Sequence, residues 1–135
     1  MSEKKSIRLI ALDLDGTLLD SEKRLSAANR AALERAVSMG IEVVPATGRF
    51  YDGMPEVIRE LPFVRYVITV NGAQVFEVKT RKNIYSADIE LSEAIPFYEK
   101  LDTLPVIYDC YMDGWGYMTG AGRDLKIFYQ VRLAQ

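Results

Sequence analysis

The sequence predicts an α/β fold: a Rossmann-like parallel sheet over residues 1–75, followed by a smaller α+β unit over 76–135. Three observations carry that expectation. Three apolar runs, Ile7 to Leu12, Ile41 to Ala46 and Tyr66 to Val70, are separated by helical patterns. Each run ends in polar side chains. After residue 73 the pattern changes to paired strand candidates around one helix. Strand, helix, strand, helix, strand is the order of a parallel sheet with crossover helices.

The first run is mostly aliphatic and reads as a strand buried on both faces. The first helix opens at Ser26, a good N-cap. Leu25, Ala28, Ala32, Leu33, Ala36 and Val37 fall at three- and four-residue steps, and Gly40 ends it. A shorter helix is expected from about Asp52 to Leu61, stopped by Pro62.

In the second unit, Ala73 to Val78 and Asn83 to Ile89 read as a hairpin across the polar turn Lys79-Thr80-Arg81-Lys82. Ser92 to Leu101 reads as a helix with Ser92 as N-cap and Pro96 inside its pattern. Val106 to Met112 and Trp115 to Thr119 form a second hairpin around Asp113-Gly114. In the tail, Leu125, Ile127, Tyr129, Val131 and Leu133 alternate, which argues for a strand.

Asp13 and Asp15 close the first strand. Two carboxylates there are costly to desolvate unless something binds them. Residues two apart in an extended chain point to the same side, so the pair suits a hard cation. The second strand ends in Thr47-Gly48-Arg49, the third in Asn71-Gly72. Open sheets of this kind bind ligands beyond the carboxyl ends of their strands. Bland readings stand beside these: a solvated Asp-Gly turn, a surface salt bridge for Arg49, and a plain turn dipeptide for Asn71.

Composition narrows the chemistry. The 135 residues are 49% hydrophobic and 27% charged, with a net charge of -2, as in an ordinary globular protein. No Lys/Arg run marks a nucleic-acid surface, and no long apolar segment marks a membrane span or signal peptide. There is no histidine, which excludes Ser-His-Asp and Cys-His catalysis and His-bound zinc. The lone Cys110 excludes an internal disulfide, reads as packing and suits a cytoplasmic setting. The glycines from Gly114 to Gly120 have the wrong spacing and context for a dinucleotide loop, and no Walker-type loop is present.

The run Asp13-Leu14-Asp15-Gly16-Thr17-Leu18-Leu19 resembles the first motif of the haloacid dehalogenase (HAD) superfamily of phosphotransferases. Thr47-Gly48-Arg49 resembles its second motif in the form of the Cof-type sugar-phosphatase subfamily, and Asn71-Gly72-Ala73 fits that subfamily too. The resemblance covers about the first seventy residues. It implies a HAD-type core followed by part of an α+β cap. It also implies an Mg2+-dependent phosphohydrolase acting on small phosphorylated metabolites. Asp13 would be the nucleophile, Asp15 the acid–base residue, and both would ligate magnesium, Asp15 through its backbone carbonyl. Thr47 and Gly48 would bind the phosphoryl group, and Arg49 and Asn71 would meet the substrate.

The family also uses a lysine after the cap and an acidic pair at the next core strand. Lys79, Lys82, Lys100 and Lys126 lie outside the expected context, and no Gly-Asp-rich segment follows. The resemblance thus implies the N-terminal part of such an enzyme, with the first strand left as an exposed edge open to self-association. Two alternatives stay open. One is a non-catalytic module that binds metal or phosphate or associates with partners. The other is a receiver-like phosphoacceptor, against which Gly16-Thr17-Leu18-Leu19 and Thr47-Gly48-Arg49 argue.

Overall fold

The computed structural model describes residues 6–112 and 115–120. Its elements are β1 (Leu9–Asp13), α1 (Ala27–Ser38), β2 (Glu42–Ala46), a 3-10 turn (Tyr51–Gly53), α2 (Glu56–Arg59), β3 (Tyr66–Thr69), β4 (Gln74–Glu77), β5 (Lys82–Ser86), α3 (Leu91–Asp102), β6 (Ile107–Met112) and β7 (Trp115–Gly120). Five strands form one sheet in the order β1-β2-β3-β4-β5. The first three are parallel, as expected for an α/β core of Rossmann-like type. The β3–β4 and β4–β5 pairs are antiparallel.

The chain divides into two compact units, one ending at Ala87 and the other beginning at Asp88. The expected division at residues 75/76 falls inside β4, because the β4–β5 hairpin pairs onto β3 and continues the first sheet. Within the second unit, β6 and β7 pair antiparallel with Met112 opposite Trp115. The strand expected over 125–133 lies outside the described residues.

Local chemistry explains where these elements begin and end. The Ser26 Oγ accepts the Asn29 N–H at 3.1 Å and caps α1. At the other end Gly40, at φ +78, donates to Val37 O while Ile41 donates to Ala36 O, the paired closure of a Schellman motif. The single helix expected over 52–61 is instead a 3-10 turn and one helical turn. Pro55 separates them: it disfavours helical backbone at Met54, whose ψ is 150. The N-cap of α3 is Glu90, two residues before the expected Ser92, and the helix runs through Pro96.

The core of the first unit gathers Leu14, Leu18, Leu19, Leu33, Val43, Tyr51, Met54, Ile58, Leu61, Val64 and Val67. It joins the loop after β1 to α1, α2 and the inner sides of β2 and β3. The expectation that β1 is buried on both faces is corrected. Its residues alternate between exposed and half-buried, and Leu9 is 53% exposed. β1 lies at the sheet edge, and among the described residues only one of its faces meets the core. Interior β2, by contrast, has Val43, Val44 and Pro45 all buried.

Candidate active site

The parallel register brings three strand ends level. Asp13 lies opposite Ala46, and Ala46 opposite Ile68. The loops beginning at Asp13, Thr47 and Val70 therefore leave the same edge of the sheet. Buried leucines anchor the first of them. Leu14 is fully buried, its carbonyl accepts the Leu19 N–H at 2.9 Å, and Asn29 Nδ2 donates to Leu18 O at 2.9 Å. Gly16, at φ +79, makes the turn that returns the chain from Asp15 toward these leucines.

The second and third loops are tied to each other. The Asn71 N–H donates to Thr47 O at 3.2 Å, and the Val70 N–H to Arg49 O at 3.1 Å. Asn71 sits in the left-handed region at φ 54, which Asn tolerates better than most residues. A Cβ on Gly48 would come 2.8 Å from Asn71 Oδ1, so any side chain at 48 would have to displace the Asn71 amide. Thr47 is buried, and its Oγ1 accepts the Arg49 N–H at 3.2 Å.

The two carboxylates have different partners. Asp13 Oδ2 accepts the Thr17 hydroxyl at 3.0 Å. Asp15 is gripped by Arg49, with Nε 2.9 Å from Oδ2 and Nη2 3.2 Å from Oδ1. Lys23 Nζ adds a contact to Oδ1 at 2.6 Å. The Arg49 guanidinium, and next the Lys23 ammonium, pull the Asp15 carboxyl down to about 2 from its usual 3.8. Asp15 is therefore ionised at neutral pH. Arg49 is fixed further by donating from Nη1 to Gly53 O at 3.1 Å.

Asp13, Asp15, Thr47, Gly48, Arg49 and Asn71 thus all lie on three adjoining loops. Their donor chemistry is oxygen-rich and suits a hard cation, but only in part. Among the described residues, no three His, Cys, Asp or Glu side chains gather as a metal site. Sequence reasoning missed Lys23. Its signal was the polar turn Asp20-Ser21-Glu22-Lys23-Arg24, which folds back so that the lysine reaches Asp15 eight residues earlier. Among the described residues, no helix is long and apolar enough to cross a membrane.

Comparison with known proteins bears on the family and the fold. The family model of haloacid dehalogenase-like hydrolases matches residues 10–131. Phosphatase YwpJ of Bacillus subtilis (strain 168) is 33% identical over 119 residues, covering 88% of this chain and 41% of that protein. The HMP-PP phosphatase of Klebsiella pneumoniae (strain 342) is 34% identical over 118 residues, covering 86% of this chain and 42% of that protein. Among solved structures, a haloacid dehalogenase-like hydrolase from B. subtilis matches with a TM-score of 0.74 at 33% identity, over 88% of this chain and 41% of that one. The chain spans less than half the length of these relatives.

Proposed function

The chain belongs to the haloacid dehalogenase-like hydrolases, and from that premise we propose that its three-loop site serves magnesium-dependent hydrolysis of small phosphomonoesters such as sugar phosphates. Support comes from relatives named as phosphatases. The observation that carries the reading is the level register of Asp13, Ala46 and Ile68, from which the three loops depart together.

In this reading Asp13 attacks phosphorus, the bond to the leaving oxygen breaks, and an aspartyl-phosphate forms for water to hydrolyse. Asp15 gives a proton to the leaving alkoxide and then takes one from the attacking water. Thr47 Oγ1 and the Gly48 N–H donate to the transferring oxygens. Arg49 and Asn71 contact the substrate. The Asp13 side chain and the Asp15 backbone carbonyl would hold magnesium, which when bound supplies charge neutralisation between carboxylate and phosphate.

A second reading is favoured by one observation. Arg49 and Lys23 occupy both carboxylate oxygens of Asp15 and favour its ionised form, which opposes its use as a proton donor. On that reading the site of this chain binds metal or phosphate without turnover. Hydrolysis of an aryl phosphate with magnesium separates the two. We expect this chain to turn over well below the ~10 s⁻¹ typical of enzymes. Asp15→Asn should slow it a further ~10²–10⁴-fold, and Asp13→Asn should abolish it. Wild-type turnover retained by Asp13→Asn would overturn the nucleophile assignment. A complete lack of hydrolysis would favour the second reading.

A further inference from the structure

We infer that Lys23 is a phosphate-binding residue of this site: its ammonium, paired with Asp15 in the structure, transfers to a phosphoryl oxygen when a phosphomonoester binds. The inference rests on the function proposed above. Three observations carry it.

The first is redundancy. Both Asp15 oxygens already accept from the Arg49 fork, which is itself anchored on Gly53 O. Lys23 adds a third donor to a carboxylate that keeps its partner if the lysine leaves. A point charge on a flexible four-carbon stem is the member of this trio suited to exchange; the planar, doubly bonded guanidinium is not. In its proposed role Asp15 meets the leaving oxygen, so a group touching Asp15 would lie beside the bound ester.

The second is backbone conformation. Lys23 has φ 61, in the left-handed region that Gly and Asn adopt readily and lysine adopts at a cost. The turn that imposes it is well fixed. Asp20 O accepts the Lys23 N–H at 3.0 Å, and Asp20 Oδ1 accepts the Glu22 and Arg24 N–H groups at 2.9 Å each. Folding alone would be served better by Gly or Asn at this position. A lysine held there against its preference points to work done by its charge.

The third is charge balance. Asp13 and Asp15 carry two negative charges, and Arg49 and Lys23 carry two positive ones. A phosphate dianion arriving with one divalent cation leaves that balance unchanged. While its pair with Arg49 keeps Asp15 ionised, a loaded site without Lys23 would hold an uncompensated negative charge, which disfavours anion binding.

Calorimetric titration of the 135-residue chain with inorganic phosphate, in the presence of magnesium, tests the inference. Lys23→Asn removes the charge and suits the left-handed backbone, with Lys23→Gly as a second neutral variant. Lys23→Arg keeps the charge, and Lys82→Asn removes an exposed lysine of β5. We expect Lys23→Asn and Lys23→Gly to weaken phosphate binding by about tenfold or more, the range of one charge-assisted hydrogen bond. Lys23→Arg should stay within about threefold of wild type, and Lys82→Asn should bind as wild type does. Wild-type affinity in both neutral variants would overturn the inference while leaving the proposed function standing. So would a loss that Lys23→Arg fails to restore, since Lys23 would then only position Asp15. Wild-type protein that binds no phosphate would overturn both.

Discussion

The helices α1 and α3 are both 12 residues long, yet they belong to differently built units. The first is capped by the Ser26 hydroxyl, closed at Gly40 and fixed by Leu33, which is buried in the core. The second starts at Glu90 without a side-chain cap, carries Pro96 in its interior and has no buried residue. Its Leu91, Ile95 and Phe97 are all more than half exposed. Helix length and apolar content are therefore poor guides to how firmly a helix is held; what it packs against decides that. The same contrast bears on function. The loops carrying Asp13, Thr47 and Asn71 depart from paired strands of the first unit's sheet, so the sheet sets where they start and their own hydrogen bonds set how they fold.

The largest expected effect that sharpens this contrast is on stability. Ile58 is fully buried in the first core, and Ile58→Ala should cost about 2–5 kcal/mol. Phe97 is 58% exposed, and Phe97→Ala should cost less than about 1 kcal/mol. Urea melts of the two variants compare them directly, and equal losses would break the distinction between the units.

A smaller effect concerns the site. Gly48→Ala drives a methyl to 2.8 Å from the Asn71 side-chain oxygen, so the Asn71 amide must leave its place between the loops after β2 and β3. We expect a loss of about 10²-fold in any phosphatase turnover, the usual cost of an ångström-scale displacement. In the second unit the Cβ of Gly116→Ala meets, among the described residues, only the Tyr111 ring, at 3.3 Å, and turnover should not change. Parallel kinetic assays of the two variants would expose an error if Gly48→Ala kept its rate.

The smallest effect is on pH dependence. The folded-state pKa of Asp15 is depressed from 3.8 to about 2. Its ion pairs therefore contribute stability fully above the ordinary value, and that contribution is lost as pH falls through about 2. More than a third of the Asp15 and Arg49 side chains is exposed, so screening keeps the contribution below about 1 kcal/mol. Melts of wild type and Arg49→Met should differ by this small amount near neutrality and converge in strong acid. A gap that widened on acidification would contradict the assignment.

Much of this was legible in the sequence, for identifiable reasons. The three apolar runs and their polar ends located β1, β2 and β3, and the polar turn Lys79-Thr80-Arg81-Lys82 and the dipeptide Asp113-Gly114 located the two hairpins. The burial of β1 was not legible, because an apolar run looks the same at an edge as in the centre of a sheet. The split of the 52–61 helix was written in Pro55, which restricts the residue before it as well as its own position. The β4–β5 hairpin was visible as a local pair, but its attachment to β3 is a non-local choice that local pattern does not encode. At the site, Asp13, Thr47 and Asn71 could be read from strand ends. The grip of Arg49 and Lys23 on Asp15 depends on how two loops fold back, and no linear spacing records it.

The central claim is that Asp13 receives the phosphoryl group. Fluorine NMR of the chain with magnesium and beryllofluoride, which mimics a phosphoryl group on a carboxylate, tests it without requiring turnover. We expect magnesium-dependent bound-fluoride signals from wild-type protein and none from Asp13→Asn. Bound signals of equal intensity from Asp13→Asn, or none from the wild type, would contradict it.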